Sequence, residues 1–93
     1  MTIIVVLFPP YSVAVGKNKI EINMNDNKKV GIQELIVELI GQFPKLQSLL
    51  PKTLSENGIY GNLFPVRGKK MLHMEDEIYD QDIIKIYGSL SGG

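Results

Sequence analysis

Only one stretch of this sequence carries a substantial helical period, and it lies in mid-chain. In VGIQELIVELIGQF, the apolar residues Ile32, Leu35, Ile36, Leu39, Ile40 and Phe43 recur at i, i+3, i+4, i+7, i+8 and i+11. That spacing is one face of an α-helix. Gln33, Glu34 and Glu38 fall toward its start or its outer face, where acids suit the helix dipole. Pro44 stops it, because proline removes a backbone donor and clashes with the preceding turn. PKLQSLLP allows a further helical turn through Leu50, until Pro51.

The remaining apolar segments read as strands. Thr2 to Phe8 is a continuous, β-branched run that ends at Pro9–Pro10. It suits a strand buried on both faces at the centre of a sheet. Tyr11 to Val15 reads as a short irregular or extended stretch, and Gly16, Lys17 and Asn18 supply a turn. Lys19 to Met24 alternates, with Ile20, Ile22 and Met24 on one face, as a half-buried strand requires. The first two strands pair as an antiparallel hairpin. Asn25 to Lys29 is polar and turn-like, and Thr53 to Asn57 is loop. Ile59 to Val66 is mixed, and Pro65 places it at a sheet edge or a bulge. Arg67–Gly68 is a turn, Lys70 to Met74 a short strand, and EDEIYDQD an acidic loop holding one apolar pair. Ile83 to Tyr87, IIKIY, is another buried strand.

The order is strand, strand, helix, then two or three strands. The most apolar strands stand at the two ends of the chain and belong in the middle of a compact sheet. Parallel neighbours joined through a helix are the usual solution. The expectation is an α+β fold of β-grasp (ubiquitin-like) type, a mixed sheet packed on one main helix. Residues 1–87 form the domain and residues 88–93 a flexible C-terminal tail.

Composition narrows the function. A chain of 93 residues suggests a single domain. Ten basic and ten acidic residues cancel, without the basic excess usual in nucleic-acid binders. KK at Lys28–Lys29 and RGKK at Arg67–Lys70 are short enough to be solvated turns. With no cysteine, disulfides, thiolate nucleophiles and thiolate metal sites are impossible. TIIVVLF is too short to span a bilayer and lacks the flanks of a signal peptide. The default compartment is the cytoplasm, with no membrane partner.

No conventional active site stands out. His73 is the only histidine, so a metal there needs carboxylates such as Glu75 and Asp76; a lone histidine is more often structural or solvated. Glu75–Glu77 fits a solvated loop better than a catalytic pair. The serines at 12, 48, 55, 89 and 91 lack a G-x-S-x-G context, and the glycines form no phosphate loop.

The ending, GSLSGG, is different. Glycine is 9 of 93 residues, so two terminal glycines arise by chance about once in a hundred such chains. A buried strand feeds directly into them. Six extended residues reach roughly 20 Å, and glycine lets a backbone thread where a side chain would clash. The terminal carboxylate is unhindered and ionised at neutral pH. It is a poor electrophile until ATP activates it as an acyl-adenylate, which sulfur or nitrogen can attack.

IYDQDIIKIYGSLSGG, Ile78 to Gly93, resembles the end of the MoaD/ThiS sulfur-carrier proteins, which are ubiquitin-like domains finishing in Gly-Gly. IIVVLF and the mid-chain helix fit the same template, so the resemblance spans nearly the whole chain. Its length and the loop around Pro51 look more like the molybdopterin synthase small subunit. The sequence departs from the family at Pro9–Pro10, where small subunits often carry an aromatic or other apolar residue. Val66–Arg67–Gly68 replaces a valine-asparagine turn, and GSLS stands where prolines are common.

The resemblance implies a carrier with no stand-alone active site and no bound cofactor. An E1-like enzyme adenylates Gly93 using ATP and magnesium, and a sulfur donor converts the adenylate to a thiocarboxylate. The carrier then docks on the large subunit of molybdopterin synthase as a hetero-oligomer and delivers sulfur in molybdenum cofactor biosynthesis. Gly92 provides clearance in the partner's tunnel. Phe8, Met71 and Tyr87, with Leu90 on the tail, match the family's apolar docking face; for Phe8 and Tyr87 ordinary core is the competing reading. Three alternatives stay open. One is a ubiquitin-like modifier of lysines. Another is a carrier for thiamine, tRNA thiolation or cysteine synthesis. The last is an interaction module whose tail is incidental.

Overall fold

The computed structural model describes residues 1–25, 28–49 and 63–88. Five strands form one sheet: β1 (Thr2–Leu7), β2 (Lys19–Asn23), β3 (Phe64–Arg67), β4 (Lys70–Met71) and β5 (Ile83–Tyr87). Their spatial order is β2-β1-β5-β3-β4. The two terminal strands are neighbours and run parallel, with Val5 opposite Ile84. The other pairings are antiparallel. This mixed sheet with a parallel centre packs on the main helix, α2 (Ile32–Gln42).

Alternation along the central strands sorts side chains between two faces. Ile3, Val5 and Leu7 of β1, Ile20 and Ile22 of β2, and Ile84 and Ile86 of β5 are buried together with Ile32, Leu35, Ile36 and Leu39 of α2. Each such side chain removed from water contributes about 1.5–3 kcal/mol. At the start of α2, Glu34 Oε1 accepts the Gly31 N–H at 2.8 Å, half of a capping box. The helix ends before Pro44, and a 3₁₀ turn, Pro44–Ser48, follows and buries Leu46.

Several expectations need correction. The terminal strands are not buried on both faces. β1 alternates between buried and half-buried residues, and β5 alternates between buried and exposed ones. Ile83 is 51% and Tyr87 36% exposed on the face away from α2. A continuous apolar run reads as two buried faces, but here α2 covers only one.

Tyr11–Val15 is not extended; it is a short helix, α1. The Phe8 carbonyl accepts the Tyr11 and Ser12 N–H groups at 2.9 and 3.1 Å. Gly16 closes the turn with φ +84°, a conformation that glycine adopts without a Cβ penalty. The alternating YSVAV pattern is overridden because this turn buries Tyr11 to 1% exposure.

Pro65 does not sit on an edge. β3 lies between β5 and β4. The Pro65 carbonyl accepts the Leu72 N–H at 2.8 Å, on the β4 side. The proline nitrogen faces the same way, where β4 is only two residues long, so the β5 ladder loses no donor. The expected loop at Thr53 to Asn57 and the expected extension of β3 back to Ile59 lie outside the described residues.

Candidate functional site

The sheet face away from α2 is an apolar surface built in cross-strand rows. The register of β1, β5 and β3 lines up Phe8, Tyr87 and Phe64. The Phe8 and Tyr87 rings are stacked, with centroids 4.2 Å apart and planes 11° from parallel. Phe64, 37% exposed, lies directly across from Tyr87, where Cβ atoms stand about 5 Å apart. The next row runs Lys19, Val6, Lys85, Val66 and Met71 across all five strands. A third row holds Glu21, Ile4 and Ile83. Within these rows Lys85 is the one charge on a central strand, and Lys19 and Glu21 lie at the β2 edge. Contiguous exposed aromatic and aliphatic side chains of this kind mark interaction surfaces.

Of the residues expected to bind a partner, Phe8, Met71 and Tyr87 fall on this one face. Phe8 and Tyr87 touch; half-buried Met71 stands two strands away, beyond β3. Phe64 had not been singled out, nor had Ile4, Val6, Val66 and Ile83. Phe64 lies in the apolar run L-F-P-V, which has no alternation to say which face each residue takes. Leu90, Gly92 and Gly93 lie outside the described residues.

The root of the C-terminal segment is placed beside the aromatic row. Gly88 follows Tyr87 directly and is buried. A Cβ there would meet the Pro10 ring and lie 2.8 Å from the Pro9 carbonyl oxygen. The apolar face and the start of the segment leading to Gly93 therefore adjoin.

The acidic loop holds structure rather than ligand. Arg67 Nη1 donates to the Glu77 carbonyl and to Asp82 Oδ2, both at 2.8 Å. The same Asp82 oxygen accepts the Tyr79 N–H, and Asp76 accepts the His73 N–H. Asp80 accepts the Thr2 N–H at 2.7 Å, which holds its carboxyl below the ordinary value. Ile78 anchors the loop in the core at 1% exposure. Among the described residues no three His, Cys, Asp or Glu side chains gather as a metal site. Nor, among them, is any helix long and apolar enough to cross a membrane.

A mixed five-stranded sheet with parallel central strands on one main helix is the β-grasp, or ubiquitin-like, fold. Solved structures make the likeness specific. SAMP1 from Haloferax volcanii matches with a TM-score of 0.79 at 16% identity, over 100% of both chains. Molybdopterin converting factor subunit 1 from Pyrococcus furiosus matches at 0.75 and 14%, over 97% of this chain and 99% of that one. A complex of subunits 1 and 2 of the molybdopterin-converting factor from Helicobacter pylori contains a chain matching at 0.61 and 17%, over 100% of both. At these identities the likeness establishes the fold alone, the ubiquitin-like β-grasp. No protein-family profile and no curated protein matches the sequence.

Proposed function

We propose that this chain is a sulfur carrier that acts through its C-terminal glycine, as the small subunit of a molybdopterin synthase. The observation that carries the reading is the adjacency just described. An aromatic row, half-buried Phe8 with exposed Tyr87 and Phe64, borders the point where the chain leaves the sheet toward Gly93. A partner seated on that row receives the terminus in its own cleft. The likeness to a subunit 1 solved with its subunit 2 supports a large-subunit partner.

In this reading an E1-like enzyme, with ATP and magnesium, joins the Gly93 carboxylate to AMP and releases pyrophosphate. A sulfide equivalent from a sulfur donor attacks the carbonyl carbon, AMP leaves, and a thiocarboxylate remains. The large subunit then binds Phe8, Met71 and Tyr87, with Leu90 on the segment that enters it. Gly92 keeps the approach free of side chains. The domain supplies recognition and reach, and the partners supply the chemistry.

The deciding measurement is intact mass after incubation with ATP, magnesium, a sulfide donor and the cognate activating enzyme. Exchange of one carboxylate oxygen for sulfur, lost on deleting Gly93, supports the carrier. No change, with the enzyme active on another carrier, overturns it.

A second reading has its own observation: the likeness to SAMP1 of H. volcanii, a small archaeal modifier protein. The same activated terminus would then be attacked by lysine amines. Lysine conjugates recovered from cells favour that reading.

A further inference from the structure

The end of β5 and the turn after β1 meet with no room for a side chain between them. A Cβ on Gly88 would run into Pro10 Cδ, and would stand 2.8 Å from the Pro9 carbonyl oxygen and 3.3 Å from the Pro10 nitrogen. The last two are backbone atoms, which cannot rotate away as a flexible side chain can. The prolines are themselves held in place. The Phe8 N–H donates to the Ile86 carbonyl at 3.0 Å, and the Phe8 carbonyl takes two N–H groups from α1. One residue before Gly88, the Tyr87 ring stacks on Phe8. The same two chain segments are thus joined by a ring stack and by a close backbone contact.

We infer that Gly88 is a positioning residue for the reaction at the terminus. Its missing side chain seats the end of β5 against Pro9–Pro10, and that seat fixes the point at which the chain leaves the sheet. The inference rests on the sulfur-carrier reading. A misplacement of about 1 Å can slow a reaction by roughly a hundredfold. A partner covering Phe8 and Tyr87 also grips both segments whose contact aims the terminus, so docking and aiming are linked.

The test compares wild type with Gly88→Ala. Two readouts are taken. The first is thiocarboxylate formation by the cognate activating enzyme, resolved into kcat and KM. The second is amide hydrogen exchange in the free protein. For Gly88→Ala, kcat falls roughly tenfold or more, by a larger factor than any rise in KM. Exchange at the Phe8 amide, bonded to Ile86, speeds up. Exchange at the Ile4 amide, bonded to Asp82 at the other end of the pair, does not, which shows that the fold persists. Unchanged kcat in Gly88→Ala overturns the inference whatever the exchange shows, as does lowered kcat with unchanged Phe8 exchange. If wild type itself gains no sulfur from a competent enzyme, the carrier reading fails and the inference with it.

Discussion

Phe8 and Tyr87 stack ring on ring, 4.2 Å between centroids, although they stand 79 positions apart in the chain. The contact follows from the parallel pairing of β1 and β5, which places Val6 opposite Lys85 and hence Phe8 opposite Tyr87. It lies on the solvent side of the sheet, with Tyr87 36% exposed. The pair is thus both a clasp between the terminal strands and the centre of the exposed aromatic row.

The clasp is measurable as a coupling. Stacked aromatic pairs contribute about 0.5–1.5 kcal/mol beyond their area burial. In a double-mutant cycle of Phe8→Ala and Tyr87→Ala, followed by urea unfolding, the coupling energy falls in that range. A coupling indistinguishable from zero means that the rings are merely adjacent.

The core is asymmetric about α2 in a way that two substitutions on one helix read out. Leu35 is fully buried and Val37 is 64% exposed. Leu35→Ala removes buried volume and costs about 2–5 kcal/mol. Val37→Ala changes stability by less than about 0.5 kcal/mol. Denaturant midpoints at constant m-value give both numbers, and comparable losses contradict the placement of the helix.

Much of this architecture is legible before any coordinates. The period from Ile32 to Phe43 marks α2 to within a residue, and IIKIY marks β5 with its observed bounds. The parallel centre follows from where the apolar strands stand in the chain. What is not legible depends on contacts between distant segments. YSVAV has the alternation of a strand, and only the burial of Tyr11 makes it a helix. Pro65 reads as an edge because sequence does not say which side of β3 its nitrogen faces. IIVVLF cannot reveal that the outer sheet face stays open, since a residue run is equally apolar whether one face or two are covered. Phe64 was missed as a consequence, and so was the row it completes. The site at Gly88 needs the pairing of Phe8 with Ile86, which no local pattern encodes.

Burial pushes the Tyr11 phenol up to about 12, because the charged phenolate is poorly solvated there. Its unfolded value is about 10. Between these values the folded state holds more protons than the unfolded state, so stability falls as pH rises. The contribution is fully present below about pH 10 and lost as pH passes through about 12. Tyr11→Phe flattens the decline in stability over that range. An equally steep decline in the variant assigns it to other groups.

Asp80 gives the acid counterpart. Its carboxylate accepts the Thr2 N–H, which lowers its pKa. A depressed folded pKa adds stability above the unfolded value, and that stability is lost as pH falls through the folded value. Titration by NMR places the Asp80 midpoint below the usual aspartate value of about 3.9, and the Thr2 amide shift follows the same curve. A midpoint at or above that value contradicts the hydrogen bond.

Docking and chemistry separate on different residues if the carrier reading holds. Phe64 and Tyr87 face the partner from the sheet, whereas Gly92 acts only once the segment has entered the partner's cleft. Buried aromatic anchors each contribute about 2 kcal/mol or more to an interface. Phe64→Ala therefore weakens binding to the activating enzyme by about tenfold or more, seen as a rise in Kd by calorimetry. Val13, 76% exposed on α1, lies outside the patch, and Val13→Ala leaves Kd unchanged. Gly92→Ala folds and binds with the wild-type Kd, yet gains no sulfur in the intact-mass assay, because a Cβ obstructs the approach to the adenylating site. Normal thiocarboxylate formation by Gly92→Ala removes the need for clearance at that position. Lost binding by Gly92→Ala instead makes the glycine part of the docking surface, and the division between recognition by the sheet and reaction at the terminus fails.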